Sequence, residues 1–419
     1  MSIGTGASAA AAVDPARIER DVVRLVRTPS VTADEEVVQD VMAELMGEAG
    51  LVVERLAPDP AVARTDPDWP GEEMPRDSLP IVVGRTGTPG GKRILLVGHV
   101  DVVPLGDESA WSDPPFGGVV RDGSVYGRGA CDMKGGVVAI LEAFRALRDA
   151  GTELRGGEAW FVSVPSEEDG GQGMLAAIRA GCTGDMAVIT EPTGLELITA
   201  HAGAIVFRLT VPGRAAHASK RREGVSALDK LMVLVRALEE DEWERNTGET
   251  DPLMTALGLP YPTIIGTIRG GEWASTVMDR VTVVGRYGVR LGDTWRDAEA
   301  ELRRTIERAA AADPWLRDHP PTLEITGGRF SSARTNPDHE LVIGLGDAAD
   351  AVLGRRPVIA GAPYGADMRL LVNEGATPTV IFGPGDARVA HAANEHVPLA
   401  EVADCARVLA KWVARQLGG

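Results

Sequence analysis

The stretch Arg93-Ile-Leu-Leu-Val-Gly-His-Val-Asp-Val-Val-Pro104 decides how this chain reads. Ile94 to Val97 run apolar without alternation, as a strand buried on both faces of a parallel sheet does. The run ends in Gly98-His99-Val100-Asp101, two polar side chains two residues apart. They either cap the strand end or put a metal ligand, His99, beside the aspartate that holds its ring.

Further strands of the same kind lie on either side: "SLPIVVGRTG" (78–87), "GEAWFVSVPSEED" (157–169), "DMAVITEPTG" (185–194) and "TPTVIFGPG" (377–385). Between them, helical spacing runs through "ARIERDVVRLVRTPS" (16–30) and "EEVVQDVMAELMGEAG" (35–50), and "GGVVAILEAFRALRDAG" (135–151) reads as amphipathic. Strands alternating with helices predict an α/β domain with a mainly parallel central sheet flanked by helices.

The texture changes after Glu191. "AIVFRLTVPGRAAHAS" (204–219) alternates with period two, "SALDKLMVLVRALEEDEWER" is helical, two strands follow, and "WRDAEAELRRTIERAAAA" is helical again. That order, β-α-β-β-α, predicts an inserted two-layer α+β domain over 203–320, leaving 1–202 and 321–419 as one discontinuous domain. The Ala/Gly/Ser-rich start, 1–13, reads as disordered.

Lys and Arg number 43 against 61 Asp and Glu, a net charge of −18. Such an acidic chain is expected to bind neither nucleic acid nor an anionic membrane. Cys131, Cys182 and Cys405 are an odd count without metal or redox spacing. With no signal-peptide pattern and no membrane-length apolar run, they predict a cytoplasmic chain with reduced thiols.

The polar residues at the strand ends carry the chemistry. His99, Asp101, Glu167, Glu168 and Glu191 follow strands, His391 lies in the loop after the last long one, and Asp132 precedes a helix in "YGRGACDMKGG". Each has a plain reading: an N-cap for Asp132, solvated charges for Glu167 and Glu168, a turn for Glu191, a surface histidine for His391. Open α/β sheets bind ligands beyond the carboxyl ends of their strands, so all of them on one face make a mixed N/O metal site. No GxSxG supports a serine nucleophile, and "GGQGML" is too far from a dinucleotide fingerprint to support nucleotide binding.

These motifs resemble the zinc-dependent amidohydrolase and exopeptidase family of acetylornithine deacetylase, succinyl-diaminopimelate desuccinylase, aminoacylase and carboxypeptidase G. The resemblance runs from about residue 15 to the end, through "GHVDVVP", "GRGACDMKGG", "SEEDGG", "ITEPTG" and "AHAANEHV". It implies two divalent ions, Zn with Co or Mn as alternatives. His99, Asp132 and Glu191 would hold one; Asp132, Glu168 and His391, rather than His396, the other. It also implies Asp101 as partner of the His99 ring and Glu167 as general base. The insert would be a dimerisation or lid domain of a homodimer, with His217 completing the partner's oxyanion site. Arg290 stands where relatives hold a substrate carboxylate, and Arg369 is a second candidate. Ser275 lies near where many relatives carry an asparagine, and Met278 where proline is common. The implied activity is deacylation of an N-acyl amino acid or related N-acyl amine, with a dipeptidase or carboxypeptidase, or a non-catalytic binding relative, as alternatives.

Overall fold

In the computed structural model, which describes residues 3–418, Lys92–His99 is a central strand of a nine-stranded sheet. Ile94, Leu95, Leu96 and Val97 are buried to within 1% of full exclusion, as the unbroken apolar run requires. Gly157–Val164 and Met186–Ile189 flank it, both parallel to it, and Thr379–Ile381 continues the parallel set. Antiparallel strands extend both edges: Val52–Leu56 and Ile81–Gly87 on one side, Leu197–His201 and Ala333–Arg334 on the other. Ile359–Ala362 pairs in parallel with Leu197–His201.

Helices pack against this sheet. Gly135–Asp149 was expected to be amphipathic, yet every residue from Gly135 to Leu147 is buried. It lies between the sheet and Leu399–Leu417, so its polar residues need internal partners. Glu142 takes an ion pair from Arg17 at 2.7 Å, and Arg145 pairs with Asp21. Within the stretch expected to be disordered, Ile3–Ala11 is a helix packed on Leu399–Leu417 and Gly135–Asp149, with Ala9 buried. Alanine favours the helix, and small side chains allow close packing without an obvious apolar stripe. Residues 1 and 2 of that stretch lie outside the described residues.

The second sheet has the order Thr263–Gly270, Arg280–Val289, Gly203–Pro212, Thr322–Phe330, all antiparallel. Helices Ala227–Thr247 and Trp295–Ala312 supply Leu231, Leu234, Leu238, Leu302 and Ile306 to a core with Phe207, Leu209, Val211, Val281 and Val283. Thr322–Phe330 lies past the expected boundary at 320 because it pairs with Gly203–Pro212, a partner distant in sequence. Among the described residues no helix is long and apolar enough to cross a membrane, and the three cysteines are free and buried.

Candidate metal centre

Parallel pairing aligns strand ends. His99 closes Lys92–His99 and lies across from Val164. The next turn after Val164 carries Glu167 and Glu168, and Glu191 follows Met186–Ile189 by two residues. His391 comes from the loop after Thr379–Ile381, and Asp132 from the segment Ala130–Lys134 leading into Gly135–Asp149. Gly136 sets that helix against the next strand end: a Cβ there would stand 2.0 Å from the carbonyl oxygen of Thr190. Any larger residue would push Asp132 away from Glu191.

Asp132 is shared. Its Oδ1 lies 3.1 Å from His99 Nε2 and its Oδ2 3.3 Å from His391 Nε2. Glu191 Oε1 lies 3.5 Å from His99 Nε2, and Glu168 Oε2 lies 3.0 Å from His391 Nε2. The ligand atoms of His99, Asp132 and Glu191 fall within 4.8 Å of one another, as do those of Asp132, Glu168 and His391. Ligand bonds of about 2.1 Å put tetrahedral ligands roughly 3.4 Å apart, so both groups have the spacing of a coordination shell. Asp132 does not cap the following helix; the residue at that cap is Lys134. His396, the histidine set aside, stacks on Tyr126 with ring centroids 4.7 Å apart.

The charges favour cations. Burial pushes the Glu167 carboxyl well above its usual range, and Glu191 and Asp367 push it further. Burial also lifts Glu191 to about 8 and Glu168 to about 7, with Asp132 adding to both. Burial opposes ionisation of Asp132 too, but His391 and His99 outweigh it and hold its carboxyl far below the usual range. His391 is raised to about 11, chiefly by hydrogen bonds to Asp132 and Glu168. Glu191 Oε1 is buried and makes no hydrogen bond. Buried carboxylates crowded in this way, with two imidazoles and an unsatisfied oxygen, fit divalent ions.

Asp101 does more than orient a ring. His99 Nδ1 lies 3.0 Å from the backbone carbonyl of Asp101 and 3.5 Å from its carboxylate. The carboxylate accepts the backbone N–H of Glu167 at Oδ1 and of Glu168 at Oδ2, each at 3.1 Å. Glu395 plays a matching part for Asp132 and was not singled out from the sequence. Its Oε1 accepts the N–H groups of Cys131 and Asp132 at 3.0 and 3.1 Å, and Arg128 pairs with its other oxygen at 2.7 Å. Its position inside "AHAANEHV", four residues after His391, was the available signal.

A cavity of about 260 Å³ opens onto Asp132, Glu167, Glu168, Glu191, Tyr364 and His391. The other candidates lie outside its lining. His217 is exposed on the small domain, bridged to Thr276 beside Ser275, which is also exposed. Arg290 is engaged by Asp293 at 3.0 Å and Glu301 at 3.5 Å. Arg369 is 1% exposed and donates to the carbonyls of Ala366 and Gly170. Arg286, passed over in the sequence, is half-buried, with Nη2 3.4 Å from the carbonyl of Pro363, next to Tyr364 of the cavity wall. Among the described residues it has no carboxylate partner, and burial alone lowers its pKa.

Fold and site together define an enzyme of the metal-dependent amidohydrolase and metallopeptidase class. Residues 95–415 match the model of peptidase family M20/M25/M40, and the chain belongs to that family. It is 31% identical over 390 residues, 90% of each chain, to the succinyl-diaminopimelate desuccinylase of Methylobacterium nodulans. It is 27% identical over 346 residues to the N-formyl-4-amino-5-aminomethyl-2-methylpyrimidine deformylase of Halalkalibacterium halodurans, covering 77% of this chain and 78% of that one. The fold is shared with a di-peptidase from Saccharomyces cerevisiae (TM-score 0.75, 16% identity, 98% of each chain covered). It is also shared with an M20 family metallo-carboxypeptidase from Sulfolobus solfataricus (TM-score 0.73, 16% identity, 94% of this chain and 98% of that one).

Proposed function

We propose that this chain hydrolyses the amide bond of an N-acyl amino acid or related N-acyl amine. The observation that carries the reading is Asp132, whose two oxygens belong to two separate ligand groups beside the buried Glu167. His99, Asp132 and Glu191 would hold one divalent ion and Asp132, Glu168 and His391 the other. Zinc suits this donor set best, with cobalt or manganese as substitutes. Such ions supply Lewis acidity, polarising the amide carbonyl and making water acidic enough to be deprotonated near neutral pH.

Glu167 takes the proton of the attacking water and passes it to the leaving nitrogen. Its carboxyl, buried in the wall of the cavity next to Glu168 and Glu191, is placed for both halves of that transfer. Asp101 fixes the loop that aims it. Arg286, beside the cavity wall and without a carboxylate partner among the described residues, would receive a substrate carboxylate, a role that Arg290 and Arg369 are too engaged to fill. The names of the desuccinylase and deformylase relatives favour an N-acyl substrate over a dipeptide.

His217 would act in a second copy's site within a homodimer, completing the oxyanion contacts there. The outer strand Thr263–Gly270, with Ile264 and Ile268 exposed, supports a self-pairing surface. The free, buried cysteines suit a reducing cytoplasm.

The test is amine release from N-succinyl, N-acetyl and N-formyl amino acids and from dipeptides. Cleavage of one N-acyl class with dipeptides untouched is expected; cleavage of dipeptides alone would move the chain to the peptidase reading. No cleavage by a metal-loaded protein would favour a binding role.

A further inference from the structure

Behind the Glu167 loop lies a buried ionic cluster that no part of the reaction described above uses. Arg76 comes from the irregular segment before Ile81–Gly87, and its side chain is fully excluded from solvent. Its guanidinium meets Glu35 twice, Nη2 to Oε1 at 3.1 Å and Nη1 to Oε2 at 3.3 Å. Nη2 also reaches Asp169 Oδ1 at 3.4 Å. Asp169 is two residues past Glu167. Its Oδ1 accepts the Ser166 hydroxyl, and its Oδ2 accepts the N–H of Met74 at 3.4 Å.

Ser166, the residue just before Glu167, has φ of 70°, in the left-handed region that a non-glycine residue occupies only at a cost. The Asp169 contact and the N–H of Gly171, which donates to the Ser166 carbonyl at 2.5 Å, hold it there. The loop is thus fixed from two sides: Asp101 grips the backbone of the glutamate pair, and Asp169 grips the strained residue before it. Arg76 is the only cation paired with Asp169 among the described residues. Removing it would leave Glu35 and Asp169 as buried carboxylates without a counter-charge, which must then ionise less or move.

The same segment reaches the small domain. The Pro70 carbonyl accepts the N–H of Arg329 at 2.7 Å. Gly71 packs so closely on that strand that a Cβ would stand 2.1 Å from the Gly327 carbonyl oxygen. Arg76 therefore ties the glutamate loop to a segment that is itself keyed to Thr322–Phe330.

We propose that Arg76 is a positioning residue for amide hydrolysis, acting through Asp169 and Ser166 on the placement of Glu167. The proposal rests on the reading of Glu167 as the base, so Glu167→Gln is measured alongside. In Arg76→Met, metal content should stay near wild type and KM should change less than about threefold, while the melting temperature falls because Glu35 and Asp169 lose their counter-charge. kcat should fall about 10- to 100-fold, the usual cost of losing an outer partner of a catalytic group. Arg76→Lys should recover part of the loss. Hydrogen exchange should quicken in the peptide spanning 166–171 and in those around Glu35 and Met74, which share the cluster, while the peptides of the second sheet's core stay unchanged. Asp169→Asn should reproduce the kcat loss, and the double variant should be no worse than either single one.

Unchanged kcat in folded Arg76→Met, with unchanged exchange over 166–171, would overturn the proposal. If Arg76→Met does not fold, Asp169→Asn decides on the same readouts. A fully active Glu167→Gln would instead remove the assignment of the base and leave the loop's rigidity, read by exchange, as a separate result.

Discussion

Asp101 Oδ1 accepts the backbone N–H of Glu167 at 3.1 Å. The same carboxylate accepts from Glu168 and stands 3.5 Å from the His99 ring. One buried side chain therefore sets both the His99 imidazole and the loop bearing Glu167 and Glu168, the proposed base and a proposed ligand. Asp101→Asn keeps the size but replaces one acceptor oxygen with a donor. We expect about a 10- to 100-fold loss of kcat/KM together with weaker metal retention, measured by metal analysis after dialysis. Full activity with full metal would show that backbone contacts alone fix the loop.

Glu167→Gln removes the proton acceptor while preserving shape. Metal content should be unchanged, and kcat should fall about 10²- to 10⁴-fold. Normal turnover would take the general-base role away from Glu167.

Arg286 and Arg290 lie on the same strand region but differ in what they touch. Arg286→Met should raise KM for a carboxylate-bearing substrate about 10- to 100-fold, since a hydrogen-bonded charge pair is lost. Arg290→Met should leave KM close to wild type. The reverse ranking would mean that Arg290 exchanges its internal partners for substrate.

His217→Ala and Glu167→Ala proteins should each be inactive, and heterodimers of the two should regain activity because one intact site is rebuilt. Fluorescence or tag-based purification of the mixed dimer identifies the species assayed. No recovery in a verified heterodimer would place His217 outside the partner's site.

His201 is buried, with Nδ1 2.7 Å from the carbonyl of Ala202, and burial lowers its pKa to about 4. An unfolded histidine titrates near 6.5, so the unfolded chain binds the proton first as pH falls. Stability is therefore intact above about pH 6.5 and is lost progressively towards pH 4, by up to about 3 kcal/mol from this group. Denaturant unfolding at pH 7 and pH 5 should show a smaller loss in His201→Gln than in wild type. Equal losses would mean that the imidazole is protonated in place.

The centre was legible because parallel strands end on one edge, so an apolar run followed by a polar residue gives both an element and its place. The same reasoning puts Glu168, Glu191 and His391 near one edge, where the structure brings their ligand atoms into two groups with His99 and Asp132. Contacts across the chain were not legible. "GRYGVR" presents two arginines four apart, but only the fold shows that Asp293 and Glu301 occupy Arg290 while Arg286 meets a carbonyl. Ile3–Ala11 read as a tail because small-residue packing leaves no apolar stripe. Thr322–Phe330 read as part of the first domain because its partner, Gly203–Pro212, is over a hundred residues earlier. The bonds from the Glu167 and Glu168 N–H groups to Asp101 were not legible, since backbone N–H groups from another strand end have no signature in the sequence.

The most direct test of the account is a metal titration of chelator-stripped protein, following amine release from the cleaved N-acyl substrate against bound Zn per chain. The account predicts no activity in the stripped protein and a rise that levels off at two equivalents. It also predicts that Asp132→Asn weakens both sites at once. Full activity in verified metal-free protein, or loss of only one site in Asp132→Asn, would contradict a shared two-ion centre.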